Sequence, residues 1–171
     1  MSEPESRHRM LSAVRVAEFC GVDLKTVHNW ESRGKIRGVR TVGRHLRFRR
    51  LDVVDFLRAY GFGIPAALCQ ARPRVVVVES DARAADALLR ALSRRFEVTA
   101  FAHVVDGLLC LAALDPEIVV LGDLAPLGAE TVSARLGQAE ATRHVRVVLA
   151  GPAPLDLREL RERMELLAGL E

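Results

Sequence analysis

Reading from the amino terminus, apolar positions first recur at helical spacing after a capping residue. Ser12 precedes Val14, Val16, Ala17 and Phe19/Cys20, and Gly21 stops the run. Asp23 then caps a second helix, LKTVHNWESR. There Leu24, Val27 and Trp30 (or Glu31) keep the i, i+3, i+6/7 pattern until Gly34. The period changes to two in VRTVGRHLRF, whose short alternating runs flank Gly43-Arg44 as in a β-hairpin. Helical spacing returns in LDVVDFLRAY, with Leu51, Val54, Phe56/Leu57 and Tyr60 available for one face.

The next stretch, GFGIPAALCQARP (61–73), is rich in Gly and Pro and has no charge before Arg72. It reads as a linker with one short helical turn through AALCQ. Beyond it, strand and helix patterns alternate. RVVVVE (74–79), FEVTAFA (96–102), EIVVLG (117–122) and VRVVLAG (145–151) read as strands. ARAADALLRALSRR (82–95), VVDGLLCLAAL (104–114), AETVSARLGQAEA (129–141) and LDLRELRERMELLAGL (155–170) read as helices. Apolar strands separated by helices imply a parallel sheet covered on both faces, here with four βα units.

Composition narrows the function. The 171 residues are 50% apolar, enough for one sizeable core or two small ones. Cys20, Cys69 and Cys110 lie far apart, with no CxxC and no histidine cluster. No metal, cofactor or disulfide framework is expected, and the usage suits a reducing cytoplasm. The start MSEPESRHRM is polar, so no signal peptide is expected, and VVVV and IVVL are too short to span a bilayer. No nucleophile–base pairing, Walker loop or GxGxxG loop is present, and His103 and His144 stand alone, so no enzyme is expected.

Charge separates the two halves. Residues 1–63 carry 13 Lys/Arg against 7 Asp/Glu, and residues 64–171 carry 12 against 15. Arg33, Lys35, Arg37, Arg40, Arg44, Arg47, Arg49 and Arg50 crowd residues 33–50 with no acidic residue among them. The first half therefore faces a polyanion. Helix, turn, helix, basic hairpin, helix is a winged helix-turn-helix.

The segments SAVRVAEFCGVDLKTVHNWESRGKI and GRHLRFRRLDVVDFL resemble the DNA-binding domain of MerR-type regulators and excisionase-like proteins, over residues 10–60. Leu51 departs from the small polar cap that family often places before its last helix. Lys25, Thr26, His28, Asn29 and Arg33 project from the second helix away from its apolar stripe, and Lys35 follows. Asn and Arg suit base edges, whereas Thr and Lys suit phosphates. Arg44, His45, Arg47 and Arg49 belong to the hairpin, within reach of phosphates or a minor groove. Trp30, Leu46 and Phe48 are assigned to the core.

The carboxyl-terminal half, residues 74–171, resembles a response-regulator receiver of flavodoxin-like fold. VVVVESD, RRFEVTAFAHVVDGLLCL, DPEIVVLGDLAPLG and HVRVVLAG carry that likeness. It implies an aspartate ending strand 3 that accepts a phosphoryl group and acidic residues after strand 1 that hold Mg²⁺. It also implies a Thr/Ser after strand 4 and a Lys after strand 5. Position by position, the acceptor falls on Gly122, the acidic pair on Glu79-Ser80 with Asp81 following, and the Thr/Ser on Ala150. The lysine has no counterpart. Asp123 lies one residue late, and Asp81 is placed to cap the next helix.

These features predict an α/β protein with a winged helix-turn-helix at 10–60, a linker at 61–73 and a truncated, degenerate receiver at 74–171. The expected function is a DNA-binding transcriptional regulator in a bacterial cytoplasm, at the nucleoid. Its partners would be double-stranded DNA and a second copy, or another protein, held by the pseudo-receiver. No membrane partner is expected. Strand 4 would lie at a sheet edge, with Leu155, Leu157, Leu160, Met164, Leu167 and Leu170 available for dimerisation or for covering the sheet. The alternatives are a signalling adaptor using both modules for protein contacts, or a phosphoreceiver acting through Asp123.

Overall fold

Local capping sets the first helices. In the computed structural model, which describes residues 10–151 and 155–170, the Ser12 hydroxyl accepts from the Arg15 amide at 3.2 Å. The Asp23 carboxylate accepts from the Thr26 amide at 2.7 Å. Residues 1–9 and Glu171, which begin and end the segments read above, lie outside the described residues. By proximity, the described residues up to Ala71 group with Leu167 to Leu170 in one unit, and Arg72–Leu166 form another.

In the first unit, strand β1 (Met10–Ser12) leads into α1 (Ala13–Cys20), and Gly21 ends that helix in the left-handed conformation at φ 64°. Helix α2 (Leu24–Ser32) follows, then the hairpin strands β2 (Gly38–Arg40) and β3 (Leu46–Arg49), α3 (Arg50–Ala59) and the short α4 (Ala66–Cys69). β3 is central in an antiparallel sheet of order β1-β3-β2, with Leu11 opposite Phe48 and Val39 opposite Arg47. The strand β1 carries no alternating pattern of its own, which is why the sequence suggested only a hairpin. Leu46 and Phe48 turn inward onto Val16, Val27, Val54 and Leu57, while Arg47 and Arg49 take the outward positions of β3.

Two details depart from the sequence reading. Val14 and Leu24, assigned to apolar faces, are exposed, and Ala13, Val16 and Ala17 are the buried side of α1. Both exposed residues sit in first turns of helices too short to bury a full stripe. Arg50, part of the basic run, is buried, and its Nη1 donates to the carbonyls of Ala168 (2.7 Å) and Leu68 (3.4 Å). Residues 61–71 pack on the same core, through Phe62, Ile64 and the buried Leu68.

The second unit begins with β4 (Arg74–Val78), α5 (Ala82–Leu92), β5 (Glu97–Phe101) and α6 (Val104–Leu114). It continues through β6 (Ile118–Leu121), α7 (Ala129–Gln138), β7 (Arg146–Leu149) and α8 (Leu157–Ala168), whose last two residues group with the first unit. All pairings are parallel, in the order β5-β4-β6-β7. This is the 2-1-3-4 part of a doubly wound, flavodoxin-like sheet. Val76, Val78, Val119 and Leu121 pack toward Leu111 of α6 and Val132 of α7. Strand β7 ends the order, where Arg163 of α8 donates to the Leu149 carbonyl at 3.0 Å, and Leu160 and Met164 of that helix are buried.

Candidate nucleic-acid interface and receiver-like pocket

Helix α2 presents its polar residues outward because its one buried residue is Val27. Lys25, His28, Asn29, Arg33 and Lys35 are exposed, and Thr26 is half-buried. Trp30 lies on the inner side, its ring 4.9 Å from Phe56 and 6.2 Å from Phe62. The Lys35 ammonium sits 5.3 Å over the Tyr60 ring, so that cation is partly engaged by the protein itself.

The hairpin is held to α2 by a specific contact. Arg40 donates to the Glu31 carboxylate at 3.2 Å. Gly38 permits the approach, since a Cβ there would lie 2.6 Å from Leu46 Cδ1 and 2.9 Å from Glu31 Cγ. Arg44 and His45 are exposed at the hairpin tip, Arg47 and Arg49 are half-buried on β3, and the Arg47 Nη1 donates to the Leu46 carbonyl at 3.1 Å. Arg33, Arg37 and Arg44 make no ion pair among the described residues. The arrangement sets a helix with exposed amide, hydroxyl and basic groups beside a basic β-ribbon. Such a pair matches the needs of a duplex: base edges for the helix, phosphates for the ribbon.

The residues matched to the receiver pocket come together at the ends of β4 and β6, but with a different chemistry. Glu79 is only 3% exposed. Its Oε1 accepts from the Asp81 amide and its Oε2 from the Asp123 amide, each at 2.8 Å. The Ser80 amide donates to the Asp123 carbonyl at 2.9 Å, closing the two loops on one another. At Gly122, a side chain would collide with the Glu79 carboxylate. Asp81 caps α5 by accepting from the Ala84 amide at 2.8 Å. Asp123 is exposed and accepts from the Ala125 amide at 3.0 Å. Glu79 is thus neither a solvated carboxylate nor a helix cap. The backbone amides that surround it supply the hydrogen bonds that water would otherwise give.

Elsewhere in this unit, Val105 and Leu109 on α6 and Leu127 after β6 are exposed. His103 is exposed and 3.8 Å from Asp106, and His144 lies 2.9 Å from Asp115. Among the described residues no group of three or more His, Cys, Asp or Glu is placed to hold a metal ion. No helix among them is long and apolar enough to cross a membrane.

No curated protein matches the chain. Two similar solved structures overlie it with TM-scores of 0.45 and 0.43, each at 21% identity. One is the N-terminal domain of a response regulator receiver protein from Methanoculleus marisnigri JR1, with 56% of this chain and 80% of that one covered. The other is a response regulator signal receiver domain from Bermanella marisrubri, with 54% and 79% covered. Residues 10–60 match a family described as a helix-turn-helix domain, the span of α1, α2, the hairpin and α3.

Proposed function

We propose that the chain is a non-enzymatic, DNA-binding transcriptional regulator of MerR or excisionase type. Its receiver-like unit works without phosphorylation and mediates dimerisation or partner binding. The observation that carries the DNA reading is the Glu31–Arg40 clasp, which holds the basic hairpin beside the exposed polar face of α2. Lys25, Thr26, Asn29 and Arg33 would read or position the major groove. Arg44, His45, Arg47, Arg49 and Lys35 would engage phosphates, and His28 lies among them.

The phosphorylation-independent reading is supported by Glu79. Its buried carboxylate stands where an acceptor side chain at residue 122 would project, and the loops are already tied through Asp81 and Asp123. Partner binding is supported by the exposed Val105, Leu109 and Leu127 and by Leu166 on α8. Leu160 and Met164 are buried, which leaves the half-buried Leu155 and Leu157 and the exposed Leu166 of the last segment for a second copy. A homodimer would couple two half-sites on DNA.

Binding to random duplex DNA across a salt series tests the first half of the proposal. Affinity should fall linearly with salt on a double-logarithmic plot, and Arg44→Ala or Arg47→Ala should each reduce the slope by about one. Asn29→Ala should change sequence preference. Absence of salt-dependent binding at low ionic strength overturns the reading. For the second half, incubation with acetyl phosphate and Mg²⁺ should add no phosphoryl mass, and an adduct at Asp123 would overturn it. Sedimentation should show a dimer at high micromolar concentration or a partner-dependent shift.

A further inference from the structure

The tip of the β2–β3 hairpin carries a residue that nothing in the fold explains. Val42 is fully exposed, at 106% of its reference area. Its backbone is fixed nonetheless: the Arg44 amide donates to the Thr41 carbonyl at 2.7 Å, closing a turn with Val42 and Gly43 at its centre. The Thr41 amide donates to the His45 carbonyl at 3.0 Å, and the His45 amide to the Thr41 hydroxyl at 3.2 Å. Arg44 completes the turn at φ 58°, a left-handed conformation that glycine or asparagine adopts more easily.

Lone exposed apolar side chains are ordinary on protein surfaces. Val42 differs in its company. A β-branched residue suits a strand better than the centre of a turn. Beyond Gly43 stands Arg44 in a left-handed conformation, and strained residues mark places where something other than stability sets the sequence. Both side chains leave a rigid tip at the end of a basic ribbon.

We propose that Val42 is a DNA-contacting residue that enters the minor groove with Arg44 and makes the protein favour easily opened base steps. The inference rests on the DNA-binding reading given above. Arg44 would be drawn by the negative potential of a narrow groove. The valine methyls would pack against a partly unstacked step, as apolar wedges do in minor-groove binders, and bend the duplex. Pyrimidine–purine steps open at the lowest cost, so TA and CA/TG steps would be preferred at a fixed distance from the bases met by α2. Such a contact reads deformability and uses no hydrogen bond to a base.

The full chain is tested by selecting from a pool of randomised duplexes with wild type, Val42→Thr and Val42→Ile. Threonine keeps the shape and removes the apolar surface, and a fully exposed site leaves folding untouched by either change. Wild type and Val42→Ile should enrich TA or CA/TG steps beside the selected core. Val42→Thr should keep the core and the salt slope, lose that enrichment, and bind the selected duplex about 3- to 10-fold more weakly. Energy transfer between dyes at the duplex ends should report a smaller bend with Val42→Thr. Equal enrichment, affinity and bend for wild type and Val42→Thr overturn the wedge while leaving DNA binding intact. A wild type with no salt-dependent binding overturns both.

Discussion

The carboxylate of Glu79 occupies the space into which a side chain on residue 122 would project. It cannot swing aside freely, because it is buried and bonded to the amides of Asp81 and Asp123 at 2.8 Å each. Gly122→Ala should therefore destabilise the second unit by about 1–3 kcal/mol, as overpacking of a filled site does. Gly122→Asp should cost more, since it adds a second carboxylate against the first. Urea unfolding followed by far-ultraviolet circular dichroism measures both. A neutral Gly122→Ala would mean that Glu79 yields its position without loss.

Removing the carboxylate tests the same clasp from the other side. Glu79→Ala leaves two partly buried amides without their acceptor and should cost about 2–4 kcal/mol, the sum of two weakened donors and a small cavity. Glu79→Gln keeps one acceptor oxygen and should cost about half as much. Hydrogen exchange gives the specific readout: the Asp81 and Asp123 amides should lose protection in both variants, and more in Glu79→Ala. Unchanged protection at those amides would show that the loops are held by other contacts.

At the end of the chain, Arg50 makes a comparable prediction for the first unit. Its Nη1 reaches the carbonyls of Leu68 and Ala168, and Gly169 packs close to Val54 and Ile64. Deleting residues 167–171 should remove one acceptor and that packing, and lower the stability of the first unit by about 2–4 kcal/mol. Arg50→Leu should have a smaller effect, because the removed charge no longer needs partners. Fluorescence of Trp30, the single tryptophan, follows this unit alone.

These contacts separate what the sequence could tell from what it could not. Ser12, Asp23 and Asp81 were legible as caps because a cap acts three residues away, within the pattern a reader can see. The parallel sheet of four βα units was legible from alternating apolar strands and helices, and its order from the likeness to a receiver. Arg50 was read as part of a basic face because its partners lie 18 and 118 residues distant. The strand β1 is defined by its pairing with β3 and by nothing in its own three residues. Gly122 read as a lost acceptor, but its filler, Glu79, bonds across 44 residues and was invisible to spacing.

The cap on α2 yields a pH dependence. The hydrogen bond from the Thr26 amide holds the Asp23 carboxyl below the usual carboxylate range, against a smaller opposing effect of desolvation. A group whose folded pKa is depressed contributes stability that is complete above its unfolded pKa of about 3.9. That contribution is lost as pH falls through the folded value. Asp23→Asn retains a capping oxygen without a titrating group. At neutral pH it should lie close to wild type, and below the carboxylate range its stability should fall less steeply. Trp30 fluorescence in urea, repeated across the acid range, gives both curves, and parallel acid limbs would remove Asp23 as a source.

Arg44 sets stability against binding at one position. Its φ of 58° costs an L-residue about 1 kcal/mol, which glycine avoids. Glycine also adds disorder to the unfolded chain, which returns part of the gain. Arg44→Gly should thus leave the first unit as stable as wild type or more stable by up to about 0.5 kcal/mol. The same change removes an exposed cation with no ion pair among the described residues, so duplex affinity should fall and the salt slope should shrink by about one. Measured together, a steady or raised midpoint and a reduced slope would separate a residue kept for DNA from one kept for the fold. A variant that loses stability as well would assign Arg44 to the hairpin itself, and the strain at the tip would then need another cause.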